Sequence, residues 1–247
     1  MKSQNRKFGN GPALTEHAWN FYSRFYDIAH PFLIRLTGAF GSLSYDEFQE
    51  EFVELARPKP GQAVIDVACG TGAGFAALGR AVGPEGEIVA VDISADMLYR
   101  ARARARRLKL KNVTYRAIDA EKLSLHFDEE SFDLALSCNG PPNFLHPRRA
   151  VVEMSYVLRE GGTLAFSTLD RRKCDDIALF RWSMRYPEAR FPYEEQYRET
   201  LEKLGFTKIT SHRRGLMLIV TARKTPSGST RRRRASTRRK SAASGHP

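Results

Sequence analysis

The chain predicts an open, doubly wound α/β sheet of seven strands with an antiparallel hairpin at one edge. Three observations predict it. From Gln62 onward, short apolar runs alternate with stretches of helical period, the pattern of a parallel sheet covered by helices on both faces. The first run, "AVIDV", leads directly into "ACGTGAG", a loop with three glycines in five residues. The last two runs, "FTKITSHR" and "LMLIVTARK", are joined by a short turn at Gly215. That is too short for a crossover, so these two strands pair antiparallel.

The elements follow in order. Residues 14–56 read as helical, with "LTEHAWNFYSRFYDIAH", a break at Pro31, then "YDEFQEEFVELAR" after Ser44. In the last of these, Phe48, Phe52 and Leu55 fall at helical spacing, and Ser44 with Glu47 matches a capping box. "PKPG" ends this part. The strand "AVIDV" and the glycine loop lead into the helix "GFAALGRAV". "EIVAVD" (87–92) is the second strand. "SADMLYRARARARRL" is a helix with Ser94 as its N-cap and Met97, Ala101, Ala105 and Leu108 along one face. Its arginines, Arg102 and Arg106 among them, read as the solvated outer side of a sheet-covering helix rather than a nucleic-acid site. "VTYRAID" (113–119) and "FDLALS" (132–137) are the third and fourth strands. "RRAVVEMSYVLRE" is a helix ended by Gly161-Gly162, and "GTLAFSTLD" is the fifth strand. A helical stretch rich in arginine and aromatics (172–190), the helix "YEEQYRETLEKLG" and the two closing strands complete the order. There are no internal repeats.

Composition narrows the class. At 247 residues, 42% hydrophobic and 28% charged, the chain has enough apolar material for a real core. No apolar run approaches the ~20 residues that span a bilayer, and the N-terminus lacks the apolar centre of a secretory signal. A cytoplasmic protein is the expectation. Cys69, Cys138 and Cys174 are an odd count without a C-x-x-C pair, which argues against a disulfide framework or a zinc site; no metal is expected. The net charge is +12, and seven cations sit after Pro226 in "STRRRRASTRRKSAASGHP" with no acid, leaving +5 for the body. That tail has no large apolar residue and is expected to be disordered. It is either an electrostatic arm for RNA or anionic lipid, which would place the protein peripherally at a membrane, or a solvated tail without a specific partner. Both readings stay open. The division expected is a helical segment (1–57), a sheet domain (58–225) and the basic tail (226–247).

The glycine loop is the place where such a sheet binds ligands, beyond the carboxyl ends of its strands. A phosphate-binding loop would need G-x-x-x-x-G-K-[ST]; here Gly74 is followed by Phe75 and there is no lysine. A dinucleotide fingerprint would place a third glycine where Phe75 stands, which weakens NAD without excluding it. Asp66 lies on the strand four residues before Gly70. A carboxylate there opposes a pyrophosphate and suits an ammonium or sulfonium. Asp92 ends the second strand twenty residues after Gly72, where an acid can accept from ribose hydroxyls. A ligand with a ribose, a positive group and no diphosphate is called for, and S-adenosyl-L-methionine fits.

"DVACGTG", "VDIS", "DAEKL", "FDLALS" and "VLREGG", in this order, resemble the motifs of class I S-adenosylmethionine-dependent methyltransferases, with their Rossmann-like fold. The similarity is greatest to the ubiquinone/menaquinone-biosynthesis and phospholipid N-methyltransferase group, whose entry helix "FYSRFYDIAHP" resembles. The resemblance implies that residues 1–57 form a lid. It implies that Asp66 lies near the methionine ammonium and that Gly70, Thr71 and Gly72 let the backbone approach the ligand. Asp92 would take the ribose hydroxyls, Ile93 would pack on adenine, and Asp119 and Ala120 would read the adenine edge. Ser137, with Asn139 beside it, would lie next to the donor methyl. Ala68 stands where the family has glycine, a mild departure. Asp119 can also be read as a helix N-cap, and Ser137 as a strand end.

Methyl transfer is an in-line displacement on an already activated carbon, so the motifs name the cofactor and not the acceptor. "SCNGPPNFLH" (137–146) is the candidate to face the substrate, but it departs from the Asn/Asp-Pro-Pro-aromatic motif of amino-methyltransferases, because Gly140 and Asn143 interrupt it. His146 reads as a helix-start polar residue before a general base, His126 and His30 as structural, and no catalytic residue is assigned. Trp19, Phe21, Tyr22, Tyr26, Phe180, Trp182, Tyr186 and Phe191 can roof a pocket for a small lipophilic acceptor, quinone-like or phospholipid-like, or can equally be ordinary lid packing. Arg171, Arg172, Arg181 and Arg185 permit an anionic head group. The competing functions are an RNA- or protein-modifying methyltransferase that uses the arginine tail, and a non-catalytic cofactor-binding protein. Oligomeric state and any modification of Ser236 are not legible.

Overall fold

A computed structural model describes residues 39–176 and 192–226. The elements are α1 (Tyr45–Ala56), β1 (Ala63–Val67), α2 (Phe75–Val82), β2 (Glu87–Asp92), α3 (Ala95–Arg107), β3 (Val113–Ala117), β4 (Phe132–Ser137), α4 (Pro147–Val157), β5 (Leu158–Leu169), α5 (Arg171–Asp175), α6 (Glu194–Lys203), β6 (Phe206–Arg214) and β7 (Met217–Lys224). Short 3-10 helices at Ala120–Leu125 and Pro141–Asn143 follow β3 and β4. The helix read in residues 14–30, the eight roofing aromatics, His30, Arg181, Arg185 and the basic tail with Ser236 lie outside the described residues.

The sheet has seven strands in the order β3-β2-β1-β4-β5-β7-β6. β1 pairs in parallel with both β2 and β4, so strand order reverses between β1 and β4 and leaves a crevice at their carboxyl ends. The closing hairpin is antiparallel, as expected. Side chains alternate between two cores. Val64, Ile88, Ala90, Leu134 and Leu136 pack under α1, α2 and α3 with Phe48, Phe52, Phe75, Leu78 and Ala101. Ile65, Val67, Val89, Val91 and Ala135 pack on the other face with Ala150, Met154 and Tyr197. Helix α1 thus shares the core of the sheet, and Ser44 closes its capping box with Glu47. Such a cap is worth about 1 kcal/mol.

The carboxyl half of the sheet departs from the expected boundaries. The helix read through Glu160 stops at Val157, and β5 begins at Leu158, paired with Phe132. The register then jumps, with Leu134 opposite Thr163. Gly161 lies in this irregularity at φ 72°, a conformation that costs any other residue strain. Gly161-Gly162 therefore bulges a strand instead of ending a helix, because pairing with β4 captures the chain first.

Candidate functional site

The two strand acids lie on one face of the sheet. Asp66 is two residues beyond Val64 on β1, and Asp92 two beyond Ala90 on β2; Asp66 and Ala90 are register partners. Period-two alternation therefore sends both carboxylates to the α1–α3 side, at the end where the loops begin. Asp66 is only 5% exposed, and no hydrogen bond to its carboxylate is found among the described residues. Burial, and then the negative charge of Asp92, raise its pKa to about 7.

Asp92 is held differently. Its Oδ2 accepts from the Gly70 amide at 2.9 Å and its Oδ1 from the Ser94 amide at 2.9 Å. Burial raises its pKa, and the amides of Ser94, Gly70 and Ile93 partly offset that. The acid thus ties the loop after β1 to the loop after β2, while each oxygen keeps a second acceptor position. Ile93, the next residue, is left 41% exposed. Thr71 is buried in the loop.

The loop geometry explains why a third fingerprint glycine is absent. Gly72 has φ 74°, and a Cβ there would lie 2.6 Å from two ring carbons of Phe75. The Phe75 ring fills the space under Gly72 and joins the α1–α3 core. Ala68 also adopts a left-handed conformation, φ 57°, so its departure from glycine carries backbone strain of about 1–2 kcal/mol. Ala68→Gly is expected to stabilise the protein by about 0.5–1 kcal/mol once the extra chain entropy of glycine is counted. A thermal melt with an unchanged or lower midpoint would contradict this.

Asp119 and Ala120 arrive next to Asp92, because the Ile118 amide donates to the Asp92 carbonyl at 3.1 Å. Asp119 is the N-cap of the 3-10 helix, accepting from the Glu121 amide at 2.9 Å, and its other oxygen sits 3.2 Å from Lys122 Nζ. The cap that the sequence offered as the plain reading is therefore present. Ser137 is placed apart from the acids. It follows Ala135 in parity and takes the opposite face of the sheet, fully buried, with no hydrogen-bond partner for its Oγ. The turn after β4 covers it: a Cβ on Gly140 would lie 2.2 Å from Ser137 Oγ, 2.8 Å from the Phe144 ring and 3.1 Å from Ala68 Cβ. Asn139, at φ 60°, donates its amide to Ser167 Oγ at 2.7 Å.

Two residues at the site were not read from the sequence. Glu121 is buried and accepts from the His146 amide at 2.7 Å, while its other oxygen lies 2.8 Å from His146 Nδ1. It anchors the start of α4 to the 3-10 helix. The pairing spans 25 residues, and only its place in "DAEKL" marked it. Gln49, buried on α1, reaches Cys138, and a Cβ on Gly74 would come within 3.3 Å of its Oε1; a lone glutamine on an amphipathic helix carries no signal. Burial raises the pKa of both Cys69 and Cys138. Among the described residues no group of three or more His, Cys, Asp or Glu could hold a metal ion, and no helix is long and apolar enough to cross a membrane.

Residues 58–209 match the family model described as "Methyltransferase domain". The chain is 34% identical over 179 residues to the ubiquinone/menaquinone biosynthesis C-methyltransferase of Methylococcus capsulatus, covering 63% of this chain and 71% of that one. It is 30% identical over 118 residues to the demethylmenaquinone methyltransferase of Bacillus cereus, covering 47% of this chain and about half, 48%, of the relative. Among solved structures, a SAM-dependent methyltransferase from Aquifex aeolicus aligns with TM-score 0.61 at 19% identity, over 83% of this chain and 97% of that one. The cyclase SpnF aligns with TM-score 0.62 at 20% identity, over 83% and 96%. At those identities the likeness speaks to the fold alone, and a cyclase among the neighbours shows that the fold does not fix the reaction.

Proposed function

From the premise that the chain belongs to the methyltransferase-domain family and is an S-adenosyl-L-methionine-dependent methyltransferase, we propose that it methylates a small lipophilic acceptor of the quinol type. The names of its relatives support that acceptor class. The cofactor, when bound, supplies an activated methyl group on a sulfonium for in-line transfer.

The residues present fit that cofactor. The observation that carries the placement is Asp66, a buried carboxylate without a partner among the described residues, facing the crevice where strand order reverses. It would hold the methionine ammonium, whose positive charge offsets the burial of the carboxylate. A Cβ built at Gly70 meets nothing within 4 Å, so the loop of Gly70, Thr71 and Gly72 leaves room for close approach of a ligand. Asp92 would accept the two ribose hydroxyls with the acceptor positions that Gly70 and Ser94 leave open. The exposed side chain of Ile93 would pack on adenine, with Asp119 and Ala120 along the adenine edge. Ser137 would act through the turn that covers it, supporting Gly140 and Asn139 beside the transferred methyl.

The test is transfer of label from S-adenosyl-L-methionine, methyl-tritiated, to three acceptors: a demethylmenaquinol analogue in detergent, phosphatidylethanolamine vesicles, and bulk transfer RNA. Label in the quinol at a rate set by protein concentration is the expected result. Label in the RNA or the phospholipid alone overturns the acceptor class. Cofactor binding with no label in any of the three would favour a binding protein.

A further inference from the structure

The charge of this protein is concentrated. Between Tyr99 and Ile118 the chain carries Arg100, Arg102, Arg104, Arg106, Arg107, Lys109, Lys111 and Arg116, and no acid. With +12 overall, +7 in the tail and +8 in this segment, the rest of the chain nets −3. The segment is α3 followed by β3, and β3 is the edge strand of the sheet. Helix and strand thus form one corner of the molecule. Arg102, Arg106, Lys109, Lys111 and Arg116 are exposed there, and Arg102 lies over the Tyr115 ring at 5.0 Å, joining the two elements.

The fold does not call for this charge. Arg80, Arg159, Arg172, Arg213 and Arg214 each pair with a carboxylate. Among the described residues no such partner is found for Arg102, Arg106, Lys109, Lys111 or Arg116. Arg104 and Arg107 differ, since they border a groove that also holds Asp46 and Glu50. The helix dipole accounts for cations in the last turn of α3, but not for Arg100 and Arg102 further back or Arg116 on the strand. Arg100 with Arg104, and Arg102 with Arg106, set like charges one turn apart, which weakens a helix.

We propose that α3 and β3 form a docking face for an anionic lipid bilayer, with Arg102, Arg106, Lys109 and Arg116 seated on the headgroups. Tyr99, 75% exposed, lies one turn before Arg102 on the same side of α3, where its ring enters the interface beside snorkelling arginine stems. A single-stranded RNA would use several bare aromatic rings as stacking platforms for successive bases, but here Tyr99 stands without a second one, because Tyr115 is half-buried and already covered by Arg102. This inference stands apart from the acceptor class proposed above.

The test uses full-length protein on vesicles of phosphatidylcholine with a third phosphatidylglycerol, and on a fluorescent single-stranded RNA. The triple variant Arg102→Gln, Arg106→Gln, Arg116→Gln is expected to lose about a hundredfold in vesicle affinity, since each cation near an anionic surface contributes about fivefold. Half-molar salt should release the wild type from these vesicles. Glutamine at all seven tail cations should leave most of the vesicle affinity in place. S-adenosylhomocysteine affinity should not change in any variant. Because Arg102 stacks on Tyr115, the variant Arg106→Gln, Lys109→Gln, Lys111→Gln repeats the measurement with that contact intact. Vesicle affinity within twofold of wild type in both triple variants overturns the proposal. So does loss of vesicle binding on neutralising the tail alone, or a loss confined to RNA.

Discussion

Replacing Asp66 with asparagine is expected to make the ligand-free protein more stable at pH 8 and at the same time to remove most of its cofactor affinity. In the folded protein this carboxyl titrates at about 7, because burial and then Asp92 oppose its charge, against 3.8 for an ordinary aspartate. A raised carboxyl pKa contributes stability that is present at low pH and lost as pH rises from about 4 to about 7. The span corresponds to about 4 kcal/mol. Asparagine avoids the charge but keeps a polar amide to desolvate, so a gain of about 1–3 kcal/mol at pH 8 is expected. The gain should vanish near pH 3, where the unfolded carboxyl is also largely neutral. Thermal melts across this range check it, and a difference independent of pH would contradict the assignment. Binding should move the other way. A ligand ammonium favours the ionised carboxylate, so wild-type affinity for S-adenosylhomocysteine should fall as pH drops below about 7. Asparagine should remove that dependence and cost about thirtyfold or more at pH 8. Calorimetry showing equal affinity in the variant would sink the placement of the ammonium.

Asp92→Ala is the second large effect. Asp92 accepts from the amides of Gly70 and Ser94, and in the proposed complex it also takes the ribose hydroxyls. Removing it should weaken S-adenosylhomocysteine binding ten- to a hundredfold, the loss of roughly 1.5–3 kcal/mol of charged hydrogen bonding. A second consequence separates this role from general damage to the loop. Without the neighbouring negative charge, the Asp66 carboxyl ionises more readily, so the pH midpoint of cofactor binding should move downward from about 7. A folded variant with unchanged affinity and an unchanged midpoint would rule out both roles.

The fold was legible because its signals are local. "AVIDV", "EIVAVD" and "FDLALS" match β1, β2 and β4 residue for residue, since each is a short apolar run bounded by a turn or a cap. Ser44 and Ser94 cap the helices they were read to cap. Boundaries failed where two elements meet without a breaker. Leu158 continues a helical pattern, yet pairing with Phe132 turns it into strand. Helix propensity over one turn is weaker than a ladder of hydrogen bonds to a formed sheet.

The candidate site divides along the same line. By itself the sequence determined which acids lie at the carboxyl ends of the first two strands, that the glycine loop lies between them, and that neither a lysine nor a glycine at the position of Phe75 equips the loop for a diphosphate. Those are matters of residue type and spacing along one chain. Only the tertiary structure decided that Asp66 and Asp92 share a face, that the charge of Asp92 helps raise the Asp66 pKa, and that Ser137 takes the opposite face beneath Gly140. It alone showed that Glu121 holds His146, that Ala68 is strained, and that the cations of α3 gather with Arg116 on one corner. Each depends on groups brought together from separate strands and helices. Burial and Coulomb interaction follow distance in space, and separation along the chain does not report it.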